Sequence, residues 1–150
     1  MKPEERAAKA ASIFEEGYNC AQSVVLAFAD ELKMDQDDLA KLASSFGGGM
    51  GRLREVCGAV SGMFLVYGMI RGYSDAGDTD GKKEQYKDIQ SMAAEFEKKH
   101  GSIICRHILK KPEGPDSYEP SERTDKYYAS RPCTRCVEDA AEILENFLRK

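Results

Sequence analysis

Residues Ala59 to Ile70 read AVSGMFLVYGMI, a run of 12 with no charged side chain. A segment that is apolar all the way round has to be covered, either by lipid or by other elements of the fold. Crossing a bilayer takes ~20 consecutive apolar residues, and Arg52, Arg54 and Arg71 bracket this shorter run. It therefore reads as a buried hub helix, and the rest of the chain has to supply its cover.

That cover is patterned as helix. Lys2 to Glu16 is helical in composition, with Ala8, Ala11, Ile13 and Phe14 as an inner stripe and Gly17 placed to end it. Asn19 is positioned to cap a second helix, Cys20 to Leu32, whose Ala21, Val24, Val25 and Phe28 recur at a helical period. Asp35 can cap a third, from about Asp37 to Phe46. Gly47-Gly48-Gly49-Met50-Gly51 then breaks the chain, because four glycines in five residues make no stable helix interior. The hub helix is expected over about Leu53 to Arg71, a fifth helix from Thr79 or Asp80 to about His100, and a last one from Pro132 to near Lys150. Ser102 to Leu109 is a short segment carrying Cys105, and Lys111 to Ser130 is an irregular excursion rich in Pro, Ser and Tyr. No strand-like alternation persists. The expectation is an all-α fold, one helical bundle of about five to six helices spanning residues 1–150 around one apolar hub helix.

A chain of 150 residues with 41% hydrophobic residues can bury a core without covalent staples. Its five cysteines, Cys20, Cys57, Cys105, Cys133 and Cys136, are thus free for chemistry. The opening MKPEERAAKAAS has no apolar stretch of the signal-peptide kind, so a reducing cytoplasm is the expected setting. Clustered cysteines there are working thiols or metal ligands more often than structural bridges. A net charge of −4 argues against a nucleic-acid binder, and no membrane insertion is expected.

Repeatedly a cysteine falls at a helix start or beside a basic residue, both of which favour thiolate over thiol. Cys20 follows the Asn19 cap, Cys57 is preceded by Arg52 and Arg54, and Cys105 is followed by Arg106 and His107. Cys133 and Cys136 open the last helix beside Arg131 and Arg135. In Cys57-Gly58-Ala59-Val60-Ser61-Gly62, Gly58 and Gly62 leave a helix face almost without side chains. That face serves close helix packing, or leaves room for a cluster or a partner sulfur against Cys57. The backbone N–H groups around Gly48 and Gly49 could cradle an anion or a sulfur, but without a following GK[ST] they make no nucleotide loop. His100 and His107 are the only histidines, which excludes a multi-histidine metal site. The aspartates of Asp35 to Asp38 and of Asp75 to Asp80 miss the spacing of a calcium loop.

The succession Gly-Tyr-Asn-Cys20, Cys57-Gly58-Ala59-x-x-Gly62, Cys105 and Cys136-Val137 resembles the C_GCAxxG_C_C family, over about Ala8 to Leu148. The resemblance implies a redox-active protein whose motif cysteines are Cys20, Cys57, Cys105 and Cys136, with Cys133 as an extra that can stand in for Cys136. A related domain of split-Soret cytochromes is associated with an iron–sulfur centre beside haem. Covalent haem is not expected here, because Cys133-Thr-Arg-Cys136 is followed by Val137 and not by histidine.

Three readings stay open at this level. The thiols can exchange with disulfides or carry electrons, in an oxidoreductase or electron-transfer component with a redox partner; the pair is then Cys133–Cys136, or Cys57 with one of the others. Cys20, Cys57, Cys105 and Cys136, with Cys133 as substitute, can instead hold an iron–sulfur cluster or zinc. Or the cysteines only pack, in a helical interaction module. The small-residue face serves a homodimer as well as a core.

Overall fold

The computed structural model describes residues 1–150, and every regular element in it is helical. Eight α-helices follow in order: α1 (Pro3–Glu15), α2 (Cys20–Ala27), α3 (Gln36–Ala43), α4 (Gly58–Arg71), α5 (Thr79–His100), α6 (Cys105–Ile108), α7 (Asp125–Ser130) and α8 (Cys133–Leu148). A 3₁₀ turn, Ser44–Phe46, leads into Gly47–Met50, where Gly48 and Gly49 are left-handed; this is a turn and not a helix. The only strand-like pairing is an isolated bridge between Val56 and Ile104. No helix is long and apolar enough to cross a membrane.

The count exceeds the five to six expected because of the two short helices α6 and α7. The second lies inside the excursion read as irregular, where the Thr124 hydroxyl accepts the Tyr127 N–H at 3.1 Å and starts a turn and a half of helix.

Most helix starts carry the chemistry that makes a helix begin. Pro3 and two acidic residues open α1. Asn19 and Gln22 satisfy each other's backbone N–H groups at the start of α2, a capping box. Asp35 accepts from Asp37 and Asp38 at α3, and Asp78 accepts from Gly81 at α5. The two acidic stretches are thus helix caps.

Two expected boundaries move, each for a long-range reason. Helix α2 stops at Ala27 and not at Leu32, because the Ala27 carbonyl accepts from Arg6 Nη1 at 2.7 Å while the Glu31 N–H turns to Phe28. The hub helix starts at Gly58 and not near Leu53. Arg52 and Arg54 have φ of +64° and +61°, and the Cys57 N–H donates to the Ile103 carbonyl at 2.7 Å. The inner face of α1 also rotates from the expected stripe to Arg6, Ala7, Ala10 and Phe14. Arg6 is fully buried, with its guanidinium 3.0 Å from Glu145 and 2.6 Å from Asp30. An arginine turned inward is invisible to a count of apolar positions.

One cluster of 25 buried apolar residues joins these helices. Helix α4 is buried over its first half, and α2 shares the centre with it, packing on α1, α3, α4 and α8. Helix α8 lies along α1.

The α2–α4 contact depends on glycine. A Cβ at Gly62 would sit 2.8 Å from the Ala21 carbonyl oxygen, and one at Gly58 2.9 Å from the Phe46 carbonyl oxygen. Both obstacles are backbone, which yields little. Gly68, one turn and a half further along the same helix, faces only the end of the Gln85 side chain at 3.7 Å. Alanine gains about 1 kcal/mol of helix propensity over glycine, whereas overpacking costs about 1–3 kcal/mol. Gly68→Ala is therefore expected to stabilise the reduced protein by up to about 1 kcal/mol and Gly62→Ala to destabilise it by a similar amount, as read from urea midpoints.

Candidate functional site

Cys20 is the first residue of α2, Cys57 caps α4, Cys105 is the first residue of α6, and Cys133 and Cys136 lie in the opening turns of α8. These helix starts meet around one cavity of about 310 Å³, which all five cysteines line. All five are free thiols. Cys57, Cys105 and Cys136 are buried, and Cys20 and Cys133 are half-buried.

Local backbone sets this convergence. A Cβ at Gly58 would stand 3.2 Å from Cys20 Cβ, so the missing side chain lets two cysteine-bearing helix starts approach. Gly48 and Gly49, with φ near +70°, curl the chain under the cavity. A side chain at Gly49 would meet Cys105 Cβ at 2.6 Å and Arg54 Cα at 2.9 Å. The Cys105 N–H donates to the Glu55 carbonyl at 2.6 Å, tying the start of α6 to the strap before α4. Gly62 is not on the cavity; it packs on Ala21 and Val24 of α2.

The thiols are arranged in two asymmetric pairs and one single. Cys20 and Cys133 are neighbours, and the Cys133 thiol, with burial, holds Cys20 well above the ordinary range. Cys133 is lowered to about 7 by the neighbouring Cys20 thiol, against its own burial, with Arg131, Arg54 and Arg123 adding to the effect. In the second pair Cys136 lies beside Cys57. This lowers Cys57, helped by the N–H groups of Ala59 and Val60 at the start of α4 and opposed by burial. Cys136 is raised by the same neighbour and by burial. Cys105 stands apart. Burial raises it, although Arg54 Nη1 lies 3.6 Å from its sulfur.

Arg54 is itself held by Asp116, at 2.9 Å and 3.1 Å, and Arg52 shares the same carboxylate at 3.6 Å. The backbone N–H of Ser117, then Arg54 and Lys111, keep Asp116 far below the ordinary carboxylate range. These contacts fasten the 111–130 excursion over the cavity. Tyr118, Pro120, Ser121, Arg123 and Tyr127 of that segment line it. Arg123 donates to the Phe14 and Tyr18 carbonyls at 3.2 and 3.0 Å and stacks on Phe14.

Sequence reasoning set Cys133 aside as the extra cysteine, yet it faces Cys20 inside the cavity. It also passed over His100, whose Nδ1 is 3.8 Å from Cys136 Sγ and whose Nε2 is 2.8 Å from Asp139. His100 ends α5 and has no motif around it, so only the packing of α5 on α8 reveals this contact. His107 meets no cysteine and lies 3.4 Å from Ser102 Oγ.

A donor set of five thiols is chemically the set that zinc or an iron–sulfur cluster takes. As placed, however, no three of the Cys, His, Asp and Glu side chains converge on one position that would hold a metal ion. What the arrangement offers directly is thiolate nucleophiles, each with a neighbouring thiol.

Neither the curated proteins nor the solved structures include a significant match to the chain. A family model does match, over residues 18–147: "Putative redox-active protein (C_GCAxxG_C_C)". That span contains all five cysteines, the CGAxxG turn into α4 and the excursion over the cavity, and the chain belongs to the C_GCAxxG_C_C family of redox-active proteins.

Proposed function

We propose that the protein is a dithiol/disulfide oxidoreductase whose working pair is Cys20–Cys133, with Cys57–Cys136 as a second dithiol in the same cavity. The observation that carries this reading is the pairing itself. In each pair one thiol is set up to keep its proton and the other to lose it, which is the division between a resolving and an attacking thiol.

Cys133 is the better placed nucleophile. It is half-exposed, and a pKa of about 7 makes it substantially thiolate at neutral pH while leaving it reactive. Cys20, its neighbour in the cavity, is the resolving thiol. Cys57 and Cys136 are too buried to meet a bulky partner, so they suit an electron store that exchanges with the outer pair. His100, backed by Asp139, is positioned to take the Cys136 proton as that inner pair closes.

Alkylation followed by mass spectrometry, on protein equilibrated in redox buffers between about −320 and −180 mV, tests the reading. A Cys20–Cys133 disulfide that forms and reopens within that window is expected. No interconverting pair would remove it. Iron, sulfide and zinc analysis of protein purified without air addresses the alternative, a metal centre on Cys20, Cys57, Cys105 and Cys136; stoichiometric metal there would replace the dithiol reading.

The acidity of Cys133 gives a pH profile. Only the thiolate reacts with iodoacetamide, so alkylation of Cys133 is slow below its pKa and rises as pH increases. Its midpoint is expected near about 7. Cys20→Ala removes the neighbouring thiol and Arg131→Gln removes a cation. Both are expected to move the midpoint to higher pH, as followed by peptide mass spectrometry. A midpoint left at its original value in Cys20→Ala would mean that the two thiols do not share a proton.

A further inference from the structure

The charge lining the cavity narrows what the thiols act on. Four guanidiniums, those of Arg52, Arg54, Arg123 and Arg131, line it, and no Asp or Glu does. This holds in a chain where 26 acidic residues outnumber 22 basic ones, so the cavity is opposite in sign to the molecule around it.

Arg52 and Arg54 are paired with Asp116. Arg123 and Arg131 have no carboxylate partner. Arg123 spends its N–H groups on two carbonyls and the Tyr128 hydroxyl, all neutral acceptors, and the Arg131 guanidinium lies 4.9 Å over the Tyr127 ring. With one thiolate in each pair the cavity carries two negative sulfurs, and it loses both when the pairs oxidise. Four guanidiniums exceed those two sulfurs and Asp116 together.

Resting on the dithiol reading above, we infer that the cavity takes small anionic disulfides, drawn in by Arg123 and Arg131 beside Cys133. At about 30 Å³ for each water-sized group, a cavity of about 310 Å³ encloses on the order of ten non-hydrogen atoms. A disulfide with a short acidic arm on each sulfur is of that size.

In the reaction, the Cys133 thiolate attacks one sulfur of the substrate. The substrate S–S bond breaks, and the first half leaves as thiolate beside the arginines, which stabilise it. The Cys20 sulfur then displaces the second half from Cys133, and the proton of Cys20 passes to a departing thiolate. One disulfide has formed in the protein and one has been cleaved. Two electrons have moved to the substrate, which departs as one thiol and one thiolate.

The test is a charge series with the reduced full chain. Dithiodipropionate is dianionic, bis(hydroxyethyl) disulfide is neutral and cystamine is dicationic; all three are short dialkyl disulfides. Formation of the Cys20–Cys133 disulfide is timed by acid quench and mass spectrometry. Each rate is divided by that of the same disulfide with mercaptoethanol, which removes intrinsic reactivity. The expected order is dianion, neutral, dication, spanning about tenfold or more at low ionic strength and narrowing in about 0.5 M salt. Arg131→Gln is expected to lower the dianion-to-neutral ratio and Arg131→Lys to restore it. Thiodipropionate, the unreactive thioether, should also slow iodoacetamide alkylation of Cys133, whereas neutral thiodiethanol should not. A normalised dianion rate at or below the neutral one overturns the inference while leaving the dithiol reading standing. If none of the three disulfides oxidises the pair, the dithiol reading falls and the inference with it.

Discussion

Gly58 and Gly62 strip side chains from one face of α4, and the backbone of α2 at Ala21 comes into the space they leave. Cys20 directly precedes Ala21, and Cys57 directly precedes Gly58. The contact that seats the two central helices on each other therefore also brings two cysteine-bearing helix starts together at one cavity. Packing and space at the sulfurs are separate explanations for a CGAxxG element in a sequence. At Gly58 they are the same fact, since a Cβ there would strike the Phe46 carbonyl and crowd Cys20 together. Gly62 serves the packing alone.

Once five thiols share a cavity, their protons have to be apportioned, and the outcome at each sulfur is a contest between burial and its neighbours. Cys105 shows that one guanidinium is not enough. Arg54 lies against it, yet desolvation wins and the thiol stays protonated. Cys133 has the Cys20 thiol beside it and is faced by three arginines, and there the balance tips the other way. Cys57 is lowered by another route, from a neighbouring thiol and the free N–H groups of a helix start. Nucleophilic character in this cavity depends on how many donors reach a sulfur, and a single basic neighbour in sequence is a weak guide to it.

Much of this was legible locally. Asn19, Asp35 and Asp78 start helices because short polar side chains satisfy the first N–H groups, and that requirement is met within three residues. The glycine break and the apolar hub are likewise local. What escaped depends on distant partners. Helix α2 ends where Arg6 arrives from α1 to take a carbonyl, and the start of α4 is delayed by Ile103 pairing with Cys57. Arg52 and Arg54 adopt left-handed backbone that nothing in their own chemistry favours. Their positions come from Asp116, more than 60 residues on, to which both side chains reach. The contact between His100 and Cys136 also joins two helices far apart in sequence.

The CxxC at the start of α8 shows the same limit from the chemical side. Two thiols three residues apart on a helix are neighbours on its surface, and read by themselves they make a natural exchanging pair. In the fold each turns to a different helix, Cys133 to Cys20 and Cys136 to Cys57. Helix α8 packs against both α2 and α4, so its first turn lies across the gap between them. The CxxC thus joins two cross-helix pairs along one short stretch of backbone, with the arginine-pinned excursion as its roof. On the dithiol proposal, an electron pair entering at half-exposed Cys133 would reach the buried sulfurs by exchange between adjacent thiols. In the proposed reaction the arginines that would draw a substrate to the outer pair include those that lower Cys133, so recognition and reactivity would be set by one group of charges.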